Sequence, residues 1–198
     1  TNGPITSVVI PVGDIIAPVQ TGTMRLGGNL PSDAEVGDVI ANSEVVYDAQ
    51  GNAVTVRFEF TKTGANTWNA VYRYVDGTGA LQPPPPGPGA ALAGAPLTFD
   101  AAGELTSGYA LTIPGGAIPG FGPGDPITVD LGAAGAPNRI TQYGEMSTLA
   151  ILDQDGSAAG SLQSFTVGQD GLIIGSYSNG RSRAIGQLAL ATFNNPEG

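Results

Sequence analysis

Seventeen carboxylates, with no histidine and no cysteine, bound the chemistry open to this chain of 198 residues. Two carboxylates suffice to hydrolyse a glycosidic bond, one as acid and one as base or nucleophile. Glu35, Asp38, Glu59, Glu104 and Glu145 are the candidates. Glu59 sits beside Arg57 on the polar side of an alternating stretch, as a solvated residue does, and none of the five lies in the aromatic-rich sequence that lines a sugar cleft. Asp153-Gln154-Asp155-Gly156 invites a calcium reading. An EF-hand loop would need an acid where Ile151 stands and a glutamate where Leu162 stands, so an Asp-Gly turn is preferred. Gly120-Phe121-Gly122-Pro123-Gly124 has the glycines of a phosphate loop. Pro123 and Pro126 prevent a helix from starting there, and no lysine follows. Trp68, Tyr72 and Tyr74 share one face of a strand and could stack on a sugar ring. Their pairing with the Val/Phe face of 54–60 favours a core role instead. The lack of histidine removes Ser-His-Asp and Cys-His nucleophiles and most transition-metal sites. No catalytic, cofactor-binding or metal-ligating residue is assigned, no cofactor is expected, and the chain is not read as an enzyme.

The composition points the same way. Hydrophobic residues make up 41% of the chain, enough for a core, while charged residues are only 12%, about half the usual share. With 31 glycines and 16 prolines spread along the chain, turns are frequent and a β-sandwich or barrel is expected. The net charge of −10 would be repelled by phosphate, so no nucleic-acid partner is expected. Neither a polybasic patch nor an apolar run of about 20 residues is present, so no membrane partner is expected either. There is no basic segment followed by an apolar one at the start, hence no visible secretory signal.

These residues must be held by β elements. Residues 53–61 alternate strictly, with Val54, Val56, Phe58 and Phe60 on one face and Thr55, Arg57, Glu59 and Thr61 on the other, the pattern of a half-buried antiparallel strand. A strand at 43–47 precedes it and one at 67–75 returns. Further strands are expected at 5–10, 23–26, 97–100, 109–113, 127–131 and 148–152, with loops at 32–42, 76–96 and 132–146. Pro83 to Pro86 favour polyproline II and a surface loop. The last third, 168–198, reads as a β-meander with turns at Asp170-Gly171 and Asn179-Gly180, dipeptides that tolerate positive φ at both central turn positions. Asn179-Gly180 is expected to be the position most sensitive to substitution. The fold class is therefore all-β with two β domains: a discontinuous inner domain of 1–18 plus 147–198, and an outer domain of 19–146 inserted into it.

Gly168 to Gly198 resembles the bacterial flagellar axial family of rod and hook subunits. Asp170-Gly171, Gly175, Tyr177-Ser178-Asn179-Gly180, Ile185-Gly186-Gln187, Ala189, Ala191 and Phe193 to Gly198 carry the likeness, with Leu162 and Phe165-Thr166-Val167 upstream. Val46 to Asn52, Phe60, Lys62, Asn66-Thr67-Trp68, Leu97, Phe99-Asp100 and Gly103-Glu104-Leu105 resemble the outer domain of the hook branch. The resemblance implies a structural subunit of the hook, the curved tubular universal joint between rod and filament, assembling with copies of itself by sliding β domains. It implies rod and hook-filament junction proteins and the hook cap as partners. It also implies an extracellular place in the flagellum, reached by a dedicated type III export channel without a cleaved signal. The terminal helical segments of that family are missing from this sequence. A rival reading, a carbohydrate-binding or adhesin-like extracellular β module, predicts an exposed Trp68.

Overall fold

The computed structural model describes residues 13–83 and 89–188. The expected strand at 5–10, Pro84 to Pro86 and the resemblance residues after Leu188 lie outside that range. Among the described residues there is no helix. In chain order the strands begin with β1 (Ile15–Ile16), β2 (Thr23–Asn29), β3 (Val39–Tyr47), β4 (Ala53–Gly64) and β5 (Thr67–Val75). Next come β6 (Leu81–Gln82), β7 (Ala90–Ala91), β8 (Leu97–Phe99), β9 (Leu105–Ser107), β10 (Ala110–Ile113) and β11 (Ile127–Asp130). The last are β12 (Ile140–Thr141), β13 (Ala150–Gln154), β14 (Gly160–Val167), β15 (Leu172–Tyr177) and β16 (Ser182–Gln187).

The chain divides into two compact units, Thr1–Pro18 with Ala158–Gly198, and Val19–Ser157. Residues 147–157, placed by sequence with the chain's end, belong to the second unit. The reason is pairing: β13 runs antiparallel to β2, with Ala150 opposite Gly27 and Gln154 opposite Met24. Val19 and Ser157 then close the unit with reciprocal backbone hydrogen bonds of 2.9 and 2.8 Å.

The first unit is a sheet in the order β1-β14-β15-β16. The second holds two sheets. One has the order β10-β11-β2-β12 with β13 also on β2, and the other has β3-β4-β5-β8-β9 with β6 and β7 on β5. Met24, Leu26, Leu111, Ile127 and Val129 from the first sheet and Val56, Phe58, Phe60, Trp68 and Leu97 from the second join one apolar core. The alternation in 53–61 is what the core requires. Val56, Phe58 and Phe60 are fully buried, while Thr55, Arg57, Glu59 and Thr61 are partly exposed.

Several sequence expectations change here. β2 extends past Leu26 to Asn29, through Gly27-Gly28. β3 begins at Val39, inside the expected acidic loop, because it pairs along its whole length with β4. Short strands at 81–82, 90–91 and 140–141 interrupt stretches read as loop, each drawn in by a neighbour that offers free backbone groups. Asp153 and Gln154 lie within β13 rather than in a turn.

The turns are of another kind than their dipeptides suggest. At Asp48, Asp76, Asp100, Gly168 and Tyr177 the carbonyl accepts from a glycine three residues on, and the N–H donates to the carbonyl four residues on. Each glycine (Gly51, Gly79, Gly103, Gly171, Gly180) has φ between 76° and 85°, whereas Asp170 and Asn179 keep negative φ. This is a type I turn closed by a glycine bulge, so one left-handed residue per turn suffices. In the first three, the aspartate Oδ1 also accepts the N–H groups two and four residues on, at 2.8–3.0 Å. Asp-x-x-Gly-x marks these three turns but not Asp153-Gln154-Asp155-Gly156, whose first two residues stay in β13.

Candidate functional site

Trp68 stands on β5 with its ring fully buried and its Nε1–H donating to Gln142 Oε1 at 2.8 Å. Gln142, itself buried, donates through Nε2 to Ala65 O (3.0 Å) and Asn66 Oδ1 (3.2 Å). Tyr72 is buried on the same face, and burial, with Tyr74 nearby, pushes its hydroxyl above the ordinary range. The sugar platform is therefore absent from the surface: two of its three rings are core. Lys62 is buried too, its Nζ 5.7 Å from the Trp68 ring centroid and donating to Ser32 O at 2.5 Å. The carbonyl and the ring face give this buried side chain the partners that a cation out of water requires.

The candidate acids are dispersed. Glu59 lies between Arg57 (3.0 Å) and Arg73 (3.1 Å). The Asp38 carboxylate accepts the Glu35 N–H at 2.8 Å, and Glu145 offers its main-chain carbonyl to Asn29 Nδ2 at 2.9 Å. Asp153 pairs with Arg25, while Asp155 accepts the N–H groups of Gly22 (2.8 Å) and Thr23 (3.0 Å) and so pins the start of β2. The calcium reading of this tetrapeptide gives way to that role. Among the described residues no cluster of three or more acids, histidines or cysteines could hold a metal ion. Gly120, in the stretch that superficially suggests a phosphate loop, has φ +87° and lies against Asp48, where an added Cβ would come within 2.5 Å of Oδ2.

Glu104 is held by Arg139 through two contacts of 2.5 and 2.7 Å and by the Tyr143 hydroxyl at 2.9 Å. The Arg139 hydrogen bond, then that of Tyr143, lowers its pKa from an ordinary 4.5 to about 2. The folded-state value is depressed, so the stabilisation is present above the unfolded value and lost as pH falls from about 4.5 towards 2. In urea titrations across that window, wild type should lose more stability than Glu104→Gln; equal slopes would remove Glu104 from the account of acid sensitivity.

Two residues that sequence reasoning passed over organise this region. Asn29 is buried at the end of β2, accepting the Tyr143 N–H (2.8 Å) through Oδ1 and donating to the Tyr143 carbonyl (3.3 Å) through Nδ2. Arg139 ties the 132–141 segment to β9 through Glu104. A polar residue directly after Gly27-Gly28 was the available signal for the first. The second carried none, since its partner lies 35 residues away.

Known proteins resemble this chain over most of its length. A family model described as the flagellar basal body protein FlaE D2 domain matches residues 31–157. The flagellar hook protein FlgE of Rhizobium meliloti is 34% identical over 93% of this chain, and that of Treponema pallidum 34% over 96%. The chain spans 43% and 49% of those two proteins. A crystal structure of Helicobacter pylori flagellar hook protein FlgE2 shares the fold, with a TM-score of 0.55, 18% identity and coverage of 81% of this chain and 34% of that one.

Proposed function

From the premise that this chain belongs to the flagellar hook protein family, through the FlaE D2 domain in residues 31–157, we propose that it forms the β-domain part of a structural hook subunit. In this reading Val19–Ser157 is the outer domain and Thr1–Pro18 with Ala158–Gly198 the inner one. The subunit works by self-assembly into a curved tube outside the cell. Its partners are other copies of itself, the rod and junction proteins at the two ends, and a cap during growth, with export through the flagellar channel. The family match carries the reading, and the use of its candidate acids and rings in turns, ion pairs and core supports a role without catalysis.

A tube that bends as it rotates must shorten on its inner side and lengthen on its outer side each turn. Rigid β domains can do this if contacts between copies are polar, wet and individually weak. A chain with only 12% charged residues suits that task. The test is electron microscopy of the full-length protein under polymerising conditions, with cysteine pairs placed on the outer domains of neighbouring copies. Tubes whose cross-links form in the curved state are expected. Full-length protein that stays monomeric throughout would overturn the proposal.

A further inference from the structure

The outer edge of β3 is closed along most of its length and open at one end. β3 ends its sheet, with β4 on one side. Lys62 N–H donates to Asp38 O at 3.0 Å, so the even-numbered residues of β3 bond to β4, and Val39, Ala41, Ser43, Val45 and Tyr47 point their N–H and C=O outward. Three outward amides are taken. Tyr47 N–H donates to Thr21 Oγ1 (3.0 Å), Val45 N–H to Glu44 Oε1 (3.1 Å) and Ser43 N–H to Asn42 Oδ1 (2.8 Å). Asn42 also donates to Leu149 O at 3.1 Å, tying this part of the edge to the neighbouring segment. Such covering closes an edge to further pairing.

The covering stops at Ser43. Val39 and Ala41 are exposed, and their outward groups have no hydrogen-bond partner among the described residues. Val39 lines an open groove of about 680 Å3 with Pro31, Ala34 and Met146, the last 85% exposed. Its walls are fixed from below by the Lys62 bond to Ser32 O and the Asn29 bond to Glu145 O. An unpaired edge beside a groove lined by both apolar and acidic residues is the geometry of strand addition.

Charge selects the occupant. Asp33 and Glu145 line the groove and enter no ion pair among the described residues. A second copy is a poor match: among the described residues Arg25, Arg57, Arg73, Arg139 and Arg183 are held in ion pairs and Lys62 is buried. We propose that the Val39–Ala41 edge and its groove bind an extended segment of a different protein, one that alternates apolar residues with lysine or arginine. Its backbone pairs with β3, its apolar side chains enter the groove, and its cations meet Asp33 and Glu145. This goes beyond the packing of copies proposed above and does not depend on it.

The test uses the whole chain and a short, end-blocked peptide of alternating lysine and valine, with a glutamate-valine peptide as control. Hydrogen exchange read by NMR should show the Val39 and Ala41 amides protected at least about tenfold by the first peptide and not by the second. Binding should weaken with salt. Ala41→Pro removes one outward N–H at an edge position where proline is tolerated, and should weaken the peptide about tenfold. Asp33→Asn with Glu145→Gln should weaken it similarly and flatten the salt dependence, which keeps the test decisive if Ala41→Pro fails to fold. Unchanged exchange at Val39 and Ala41, equal binding of the two peptides, or binding indifferent to the folded variants would each overturn the proposal. So would protection of these amides that rises with protein concentration in the absence of peptide, because a second copy would then be the occupant.

Discussion

Replacing Trp68 with alanine should remove most of the stability of the Val19–Ser157 unit. Truncating a fully buried tryptophan costs about 3–5 kcal/mol through lost burial and the cavity left behind. Gln142 Oε1 would lose the donor that satisfies it, adding about 1–3 kcal/mol for an unsatisfied buried acceptor. Domains of this size are typically stable by about 5–15 kcal/mol, so the variant should be at or near its unfolding midpoint in water. Trp68→Phe refills much of the space and leaves Gln142 orphaned, and should cost about 2 kcal/mol. Urea unfolding followed by circular dichroism decides. An unchanged midpoint for Trp68→Ala would contradict the packing described here. As the single tryptophan in the chain, Trp68 also serves as a probe: its buried emission should not respond to saccharides, in contrast to the platform that an adhesin-like module would present.

Alanine at Gly27 or Gly28 should be nearly as damaging, for a different reason. An added Cβ at Gly27 would stand 2.1 Å from Asn138 O, and at Gly28 it would stand 2.3 Å from Thr148 O. Neither neighbour can retreat cheaply, because both are main-chain atoms in segments tied to β2. Gly28 N–H donates to Arg139 O, and Thr148 N–H to Asn29 O, each at 3.2 Å. Gly28 also has φ +115°, a conformation that strains any L side chain. Overpacking and backbone strain together suggest a loss of about 2–5 kcal/mol for either change. Gly180→Ala is the comparison. Its φ of +76° strains a side chain, but nothing lies within 4 Å of an added Cβ, so about 1 kcal/mol is expected. The structure thus ranks Gly27-Gly28 above Asn179-Gly180, the position the sequence alone pointed to. Measured midpoints in the reverse order would refute the ranking.

Much of the architecture was legible because its signals are local. The period-two run from Val54 to Phe60 names its own buried face. Glycines three residues after Asp48, Asp76 and Asp100 mark turns that depend only on their own backbone. The absence of histidine and cysteine narrowed the chemistry before any fold was known. The resemblance of 168–198 to the flagellar axial family and of 45–68 to its hook branch rested on residues contiguous in sequence, and the family match over 31–157 agrees with the second.

What only the tertiary structure decided is what distant segments do to one another. Asp153 and Asp155 look like ligands until Arg25 and the start of β2, about 130 residues earlier, are brought beside them. Glu104 looks like a free acid until Arg139 closes on it. Residues 147–157 read as the start of the last β block until β2 offers them a free edge. Composition and periodicity determined by themselves that the chain is all-β, acidic and poor in reactive side chains. They could not determine which edge strand would be closed and which left open. That depends on Thr21 and Asn42 meeting backbone groups that only the folded chain brings within hydrogen-bonding range.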